Sequence, residues 1–478
     1  MKQYFKLIWG AVMFFLVLTT AHNLWAMPSF ARVYRTSCVT CHEAFPKRNA
    51  VGEAFRLNGF RFVDDENYRK QEPVEMGDEA YKRLWPEAMW PSSIPPQLPL
   101  SVVARMMAEL DMDGTREDTL MFIFPEELEL VWAGHLAENI FIYGDIIFIQ
   151  KDFGGDETES WATVKAWIEF QDLIGPERSV NLRVGSVGTQ GMGLYTSRDS
   201  NSLSTHYYLY SEWAMPTVKV EETDLNDFDG NPFTVEPQIG LELNGRGKRW
   251  MYSAGVVTGN VKNSASEPPE DDLFFVGAGD DTGSKDVFFQ AAYKIGGLGF
   301  DGSGMEVENP LTARPEYWRD DSLTLSLFGY NGTAEIDIVD AMNQSWTGDD
   351  DFWRLGLGFQ QKYKDLAFGG AYMIGSNDNP YGYLSEESVD SEMWMVEASY
   401  FVYPWLIPFG RYEALDLDLP KDVLGLNPDQ DYARFVVGVK AMIRANVALT
   451  IESSFYTEGE DLYEGVDNTL FVLLSASF

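Results

Sequence analysis

The sequence predicts an all-β chain: a transmembrane antiparallel β-barrel of about 16 strands, preceded by a small α-helical N-terminal segment. Three observations carry that prediction. From Leu100 onward, apolar and polar positions alternate in segments of about ten residues separated by turns, as in strands with one face in lipid and one in a lumen. The connections between these segments sort into a mostly tight set and a long acidic set. Beyond the first residues, no apolar run reaches the ~20 that a spanning helix needs, so a membrane form of this chain must be a barrel.

Residues 1–26 read as a secretory signal peptide. Lys2 and Lys6 lead an apolar run from Leu7 to Leu18, and small residues end at Ala26, where cleavage is expected despite Leu24 near the cut. The apolar run is too short for the alternative, an uncleaved anchor. Cys38 and Cys41 are the only cysteines, so no disulfide framework organises the chain.

Residues 27–62 carry the chemistry. Cys38, Val39, Thr40, Cys41 and His42 form a CxxCH run. It places two thiols on one turn, able to add to the two vinyl groups of a haem, while the adjacent imidazole reaches the iron as proximal ligand. One covalent haem c is therefore the expected cofactor, and the segment is expected to be a monohaem c-type cytochrome unit. The alternative is a Cys38–Cys41 disulfide, which an oxidising compartment permits but for which a thioredoxin-like βαβ setting is absent. Ala44 to Phe62 reads as a helix able to cover a haem face, with Val51, Ala54, Phe55 and Leu57 at helical spacing and Asn58 and Gly59 at its end. Arg32, Arg35, Lys47, Arg48, Arg56 and Arg61 make the segment basic. A solvated face is the commoner use of such charge; haem propionates or an acidic periplasmic partner are the others.

Residues 63–99, rich in Pro, Trp and charge and ending in the run Ser92 to Pro99, read as a linker or plug element. It holds Met76 and Met89, the candidates for the distal iron ligand; a His/Met pair would raise the reduction potential. Methionine is also ordinary core filling, and an open site or a histidine stays in play. His135 and His206 fall near strand ends and read as turn or loop residues.

Residues 100–478 form the expected barrel, with strands starting near 100, 126, 139, 160, 180, 235, 249, 285, 321, 351, 365, 391, 404, 431, 445 and 469. Leu470, Val472, Leu474, Ala476 and Phe478 share one face of the last strand, and a strand ending on Phe resembles the assembly signal of bacterial outer-membrane proteins. Tight turns fall at 244–248, Lys364, Tyr403 with Pro404, and Arg444 with Ala445, with a longer exception near 296–320. Long acidic loops include 266–281, 337–351 and 416–431. Trp161 and Trp167, Trp250 and Tyr252, Trp353, Trp394, Tyr403 and Trp405 lie near strand ends, where aromatic girdles sit. A soluble sandwich would have no reason to sort its loops by length and charge.

With 74 acidic against 36 basic residues and a net charge of -38, the chain is no general nucleic-acid binder. Cations or basic surfaces are its electrostatic partners. Asp271, Asp272, Asp349 and Asp350 are hard-oxygen candidates for transient metal-cation contact, although charge on outer loops is usually solvated surface. No hydrolase triad, phosphate-binding glycine loop or zinc spacing is present.

The run from Pro28 to Phe62, PSFARVYRTSCVTCHEAFPKRNAVGEAFRLNGFRF, resembles the N-terminal signature of the fused outer-membrane cytochrome-porins, a family best known for iron-oxidising cytochromes. The resemblance implies a single haem c held as a plug in the barrel mouth, with Cys38 and Cys41 as thioether sites and His42 as proximal ligand. It implies electron flow from extracellular Fe(II), acting as an Fe(II) oxidase, to a periplasmic carrier across the outer membrane of a diderm bacterium. The N-terminus would then be periplasmic or inside the lumen. Because the hydrocarbon band is about 25 Å tall, residues 27–62 are expected inside the barrel. Two other readings are an outward conduit to an extracellular acceptor and a diffusion porin with a haem-bearing plug.

Overall fold

The computed structural model describes residues 29–34, 36–44, 47–62, 74–75, 93–94, 100–113, 120–137, 139–152, 158–188, 203, 238–259, 273–275, 284–304, 316–339, 345–378, 388–418, 432–458 and 468–477. The long alternating segments form β1 (Leu100–Asp111), β2 (Leu120–Ala137), β3 (Ile140–Asp152), β4 (Thr158–Phe170), β5 (Asn181–Val187), β6 (Gln238–Arg246), β7 (Trp250–Val257) and β8 (Asp286–Gly296). They continue as β9 (Ser322–Val339), β10 (Ser345–Tyr363), β11 (Leu366–Asn377), β12 (Val389–Tyr400), β13 (Leu406–Asp418), β14 (Tyr432–Arg444), β15 (Val447–Glu458) and β16 (Thr469–Ser477). Each pairs antiparallel with the next, and β16 pairs with β1, so the sheet closes on itself and no edge remains. A three-residue segment, Leu273–Phe275, adds a parallel pairing to β4.

The period of two sorts residues by face, and the sorting is inverted relative to a water-soluble protein. Along β8, Asp286, Phe288, Gln290, Ala292 and Lys294 are buried, while Val287, Phe289, Tyr293 and Ile295 are exposed. Apolar side chains face outward and charged ones inward. Several inward charges pair with one another: Arg105 meets Glu127 at 2.5 Å, and Glu413 accepts from Arg411 at 2.8 Å and from Arg434 at 3.0 Å. Such a surface suits hydrocarbon outside and a polar lumen within.

Connections alternate in length around the ring. At one rim the links span 138–139, 171–180, 247–249, 297–321, 364–365, 401–405 and 445–446. The opposite rim carries, among others, 188–237, 258–285, 419–431 and 459–468. The expected loop at 337–351 is mostly strand instead: β9 runs to Val339, β10 starts at Ser345, and Asp349, Asp350 and Asp351 pair with Glu335, Ala334 and Thr333. An acidic run survives in a strand here because the inward face is polar. Asp350 is fully buried and accepts from Asn377 Nδ2 at 2.6 Å, and Asp351 accepts from Thr333 at 2.6 Å.

Candidate cofactor site in the barrel lumen

The N-terminal segment folds into α1 (Ser29–Tyr34), a tight turn at Cys38–Thr40, a short hairpin of His42–Ala44 on Lys47–Arg48, and α2 (Ala50–Leu57). The helix is shorter than the expected Ala44 to Phe62. Pro46 disfavours helix in the residue before it, and Asn49 starts the helix instead, its Oδ1 accepting from Gly52 N at 2.9 Å. The Asn49 amide also donates to Val39 O and Thr40 O at 3.2 and 3.1 Å, clamping the cysteine turn to the start of α2. Gly52 permits that clamp, because a Cβ there would overlap the Cys41 carbonyl oxygen. The helix ends as the sequence predicts, at Asn58 and a left-handed Gly59 (φ +72°), where a Cβ would strike the Phe141 ring.

This segment is seated inside the barrel at the short-link rim, since its partners lie on inward faces all around the ring. Glu43 forms an ion pair with Lys362 of β10 and lies 3.4 Å from Lys47. Asn49 Nδ2 donates to Tyr317 O, Asn58 Nδ2 to Asp301 O, and Gln171 Nε2 to Leu57 O, at 3.4, 3.3 and 3.3 Å. Leu57 packs with Met251 of β7 and Ala292 of β8; Ala44 packs with Ile407 and Phe409 of β13 and Val436 of β14. Beside α2, a cleft is lined by Lys47, Arg48, Lys294 and Lys362 together with Glu53 and Asp320.

Cys41 lies at the edge of an aromatic cluster. Tyr34, Phe55, Phe60 and Phe62 form its buried centre with Ala133 of β2, and Cys41 packs against it. Phe60 stacks on Phe30 (5.4 Å) and on Tyr143 of β3 (5.6 Å), and Tyr143 stacks on Trp167 of β4 (5.6 Å). Both thiols are free. Burial pushes the Cys38 thiol up to about 11 and, with repulsion from Cys38 added, the Cys41 thiol up to about 12. A redox-catalytic pair needs the opposite, a stabilised thiolate. His42 follows directly in extended chain and is half-buried. Two neutral thiols on one turn, an imidazole beside them and an aromatic wall make a donor set that could hold a haem c.

Glu53 lies between Arg48 and Arg56, the latter at 3.0 Å. Burial alone would raise its carboxyl, but the two guanidinium groups override that and bring it down to about 2. Burial likewise opposes ionisation of Glu43, and Lys362 and Lys47 hold it below the ordinary range.

Other sequence candidates are dispersed. Met76, Met89, His206, Asp271 and Asp272 lie outside the described residues. Asp349 is exposed on a strand and Asp350 faces inward, so neither is the loop ligand the sequence implied. Trp250, Trp353, Trp394, Tyr403 and Trp405 are exposed on the outer surface, as girdle residues would be. Trp167 is not: it shares the inward face with buried Glu169 and stacks in the plug cluster. His135 lies on the inward face of β2, edge-on to Phe141 at 4.9 Å and two residues from Ala133 of the Cys41 cluster. The signal for it was parity, since His135 and Ala133 are an even step apart on one strand.

No protein-family model and no curated protein matches the chain. Among solved structures it is similar to the in-vitro folded OmpT, an outer membrane protein of Vibrio cholerae in trimer form, with 9% identity, 80% of this chain and 99% of that chain covered, and a TM-score of 0.47. It is also similar to Salmonella typhi OmpF in complex with daunomycin (11% identity, 80% and 97% covered, TM-score 0.47). A third is the anion-selective porin from Comamonas acidovorans (10% identity, 79% and 98% covered, TM-score 0.44). The architecture stated above rests on the strand register of this chain.

Proposed function

We propose that the chain is an outer-membrane cytochrome-porin that moves single electrons across the membrane through one haem c on its luminal plug, from extracellular Fe(II) to a periplasmic carrier. The observation that carries the reading is the seating of the only two cysteines, in a CxxCH run, within a closed barrel whose outer face is apolar. In such barrels the short turns are periplasmic and the long loops external, which supports a periplasmic mouth for the plug. Cys38 and Cys41 would bind the porphyrin and His42 its iron, and the group supplies one-electron chemistry when bound. No proton relay is needed for outer-sphere transfer. The chain's tasks are to hold the group rigidly, through the Asn49 clamp and the Glu43–Lys362 pair, and to exclude water from it with the aromatic cluster. Met76, Met89 and His135 are the candidates for the distal position.

The test is to purify the mature chain, assay pyridine haemochrome, and follow oxidation of added Fe²⁺ by stopped flow. One haem per chain, lost in Cys38→Ser/Cys41→Ser and reduced by Fe²⁺, supports the reading. A colourless protein, or a haem left ferric under excess Fe²⁺, rules out the cofactor or the donor respectively. The barrel's own size favours a second reading, a diffusion porin, since 16 strands enclose an aqueous channel. Large steady channels in planar bilayers, with a haem inert to both sides, would select it.

A further inference from the structure

The seam between the plug and the wall made by β4, β5 and β6 collects guanidinium groups. Arg183 of β5 is held by Glu169 at 2.6 Å and Glu242 at 3.2 Å, and lies over the Trp167 ring at 4.4 Å. Arg246, which ends β6, is 2% exposed, and its ion-pair contact, Glu169 Oε1, is 3.9 Å away, beyond hydrogen-bonding reach. Arg246 Nε and Nη2 have no hydrogen-bond partner, and neither has the buried Nε of Arg178. These two residues adjoin, the Arg246 N–H donating to Arg178 O at 2.9 Å. Glu169 offsets part of the Arg246 charge, while Arg178, Arg183 and Arg56 on α2 repel it.

Arg178 is otherwise tethered by Asp301 O at 2.9 Å and by Glu177, which is 70% exposed and so a weak counter-charge. A buried charged donor without an acceptor is costly, and the cost rises when other cations surround it. Three such N–H groups lie on two adjoining residues of one seam.

We propose that Arg178 and Arg246 form a buried anion-binding site at the plug–barrel seam, which accepts a carboxylate or phosphate oxygen into these unmet N–H groups. The oxygen has two sources: a propionate of the haem, which rests on the function proposed above, or a free small anion from solution, which does not. A planar guanidinium fits either in a two-pronged geometry.

The experiment titrates inorganic phosphate calorimetrically into the full-length protein in detergent, as isolated and as Cys38→Ser/Cys41→Ser. Each form is compared with Arg246→Gln and Arg178→Gln. Heat-modifiable gel mobility checks barrel closure, and the turn variant R178Q repeats the test outside any strand. Saturable binding to the as-isolated chain, weakened about tenfold or more by either variant, supports the site with a free anion. If phosphate binds only the cysteine-free form, and R246Q shifts the pH profile of the haem midpoint potential, the site is supported with a propionate. No phosphate binding to either form, together with an unchanged pH profile, means the N–H groups hold water and overturns the site. A chain that proves to carry no haem would sink the preceding reading, while the phosphate arm still decides this one.

Discussion

Glu43 is the side chain on which the seating of the plug turns. It is 1% exposed and shared by Lys362 of the wall and Lys47 of its own hairpin. Glu43→Gln would leave two buried ammonium groups without a counter-charge, a loss of about 3–5 kcal/mol; limited proteolysis should then release the N-terminal segment at protease levels that spare the wild type. The pH dependence follows from the direction of the shifts. Glu43 and Glu53 both have carboxyls depressed in the folded chain, so their contribution is whole above the ordinary glutamate value of about 4.3. It falls away as pH drops below that value, and for Glu53 it is gone by about 2. Hydrogen exchange on residues 42–58 should therefore quicken on acidification below that range while the barrel amides stay protected. His135→Ala tests the distal position: if His135 binds the iron, the low-spin spectrum of the oxidised haem gives way to a high-spin one, and an unchanged spectrum returns the role to Met76 or Met89. At this scale the sequence discloses a motif but not a partner. CxxCH is legible because its chemistry is local, whereas Glu43 meets a lysine 319 positions away that no spacing rule connects to it.

The elements show which patterns are informative on their own. All sixteen strand starts lie within about six residues of their expected positions, because a two-residue period with one apolar face is written into each strand separately. Helix α2 was legible at its C-terminal end, where Asn58 and Gly59 stop it. Its beginning was not, because Val51, Ala54, Phe55 and Leu57 mark a face and leave open where the helix starts; Asn49 sets that by capping. Trp167 shows the limit of aromatic position as evidence: an inward ring near a strand end counts as a girdle residue until the plug it stacks on is known. Gly52→Ala tests the clamp between α2 and the cysteine turn. The added methyl forces α2 away from the Cys41 carbonyl; if the chain carries the proposed haem, haem per chain measured by pyridine haemochrome should fall well below that of the wild type, with the barrel still heat-modifiable on gels.

For the whole molecule, the inverted surface puts apolar side chains outside and buries charged ones, acidic and basic alike, on the lumen wall and its plug. Closure was readable from strand number and loop sorting. The bilayer's thickness argued for insertion of the N-terminal segment, but which rim it enters was not readable, since that depends on pairings such as Leu57 with Met251 and Ala44 with Ile407. Deletion of residues 27–62 should convert a narrow or closed lumen into an open channel, seen as a several-fold rise in single-channel conductance in planar bilayers. An unchanged conductance would mean that the plug does not limit the pore.

The plug and both ends of the barrel ladder share one rim. Ser477 of β16 donates to Asn446 O of a short link, β1 begins with Leu100 opposite Trp132 near the short end of β2, and the plug's wall contacts gather at that same end. The described residues of the N-terminal unit share no ladder with the sixteen strands. The cylinder's rungs are complete without its stopper, so taking the stopper away parts none of the joins between neighbouring staves.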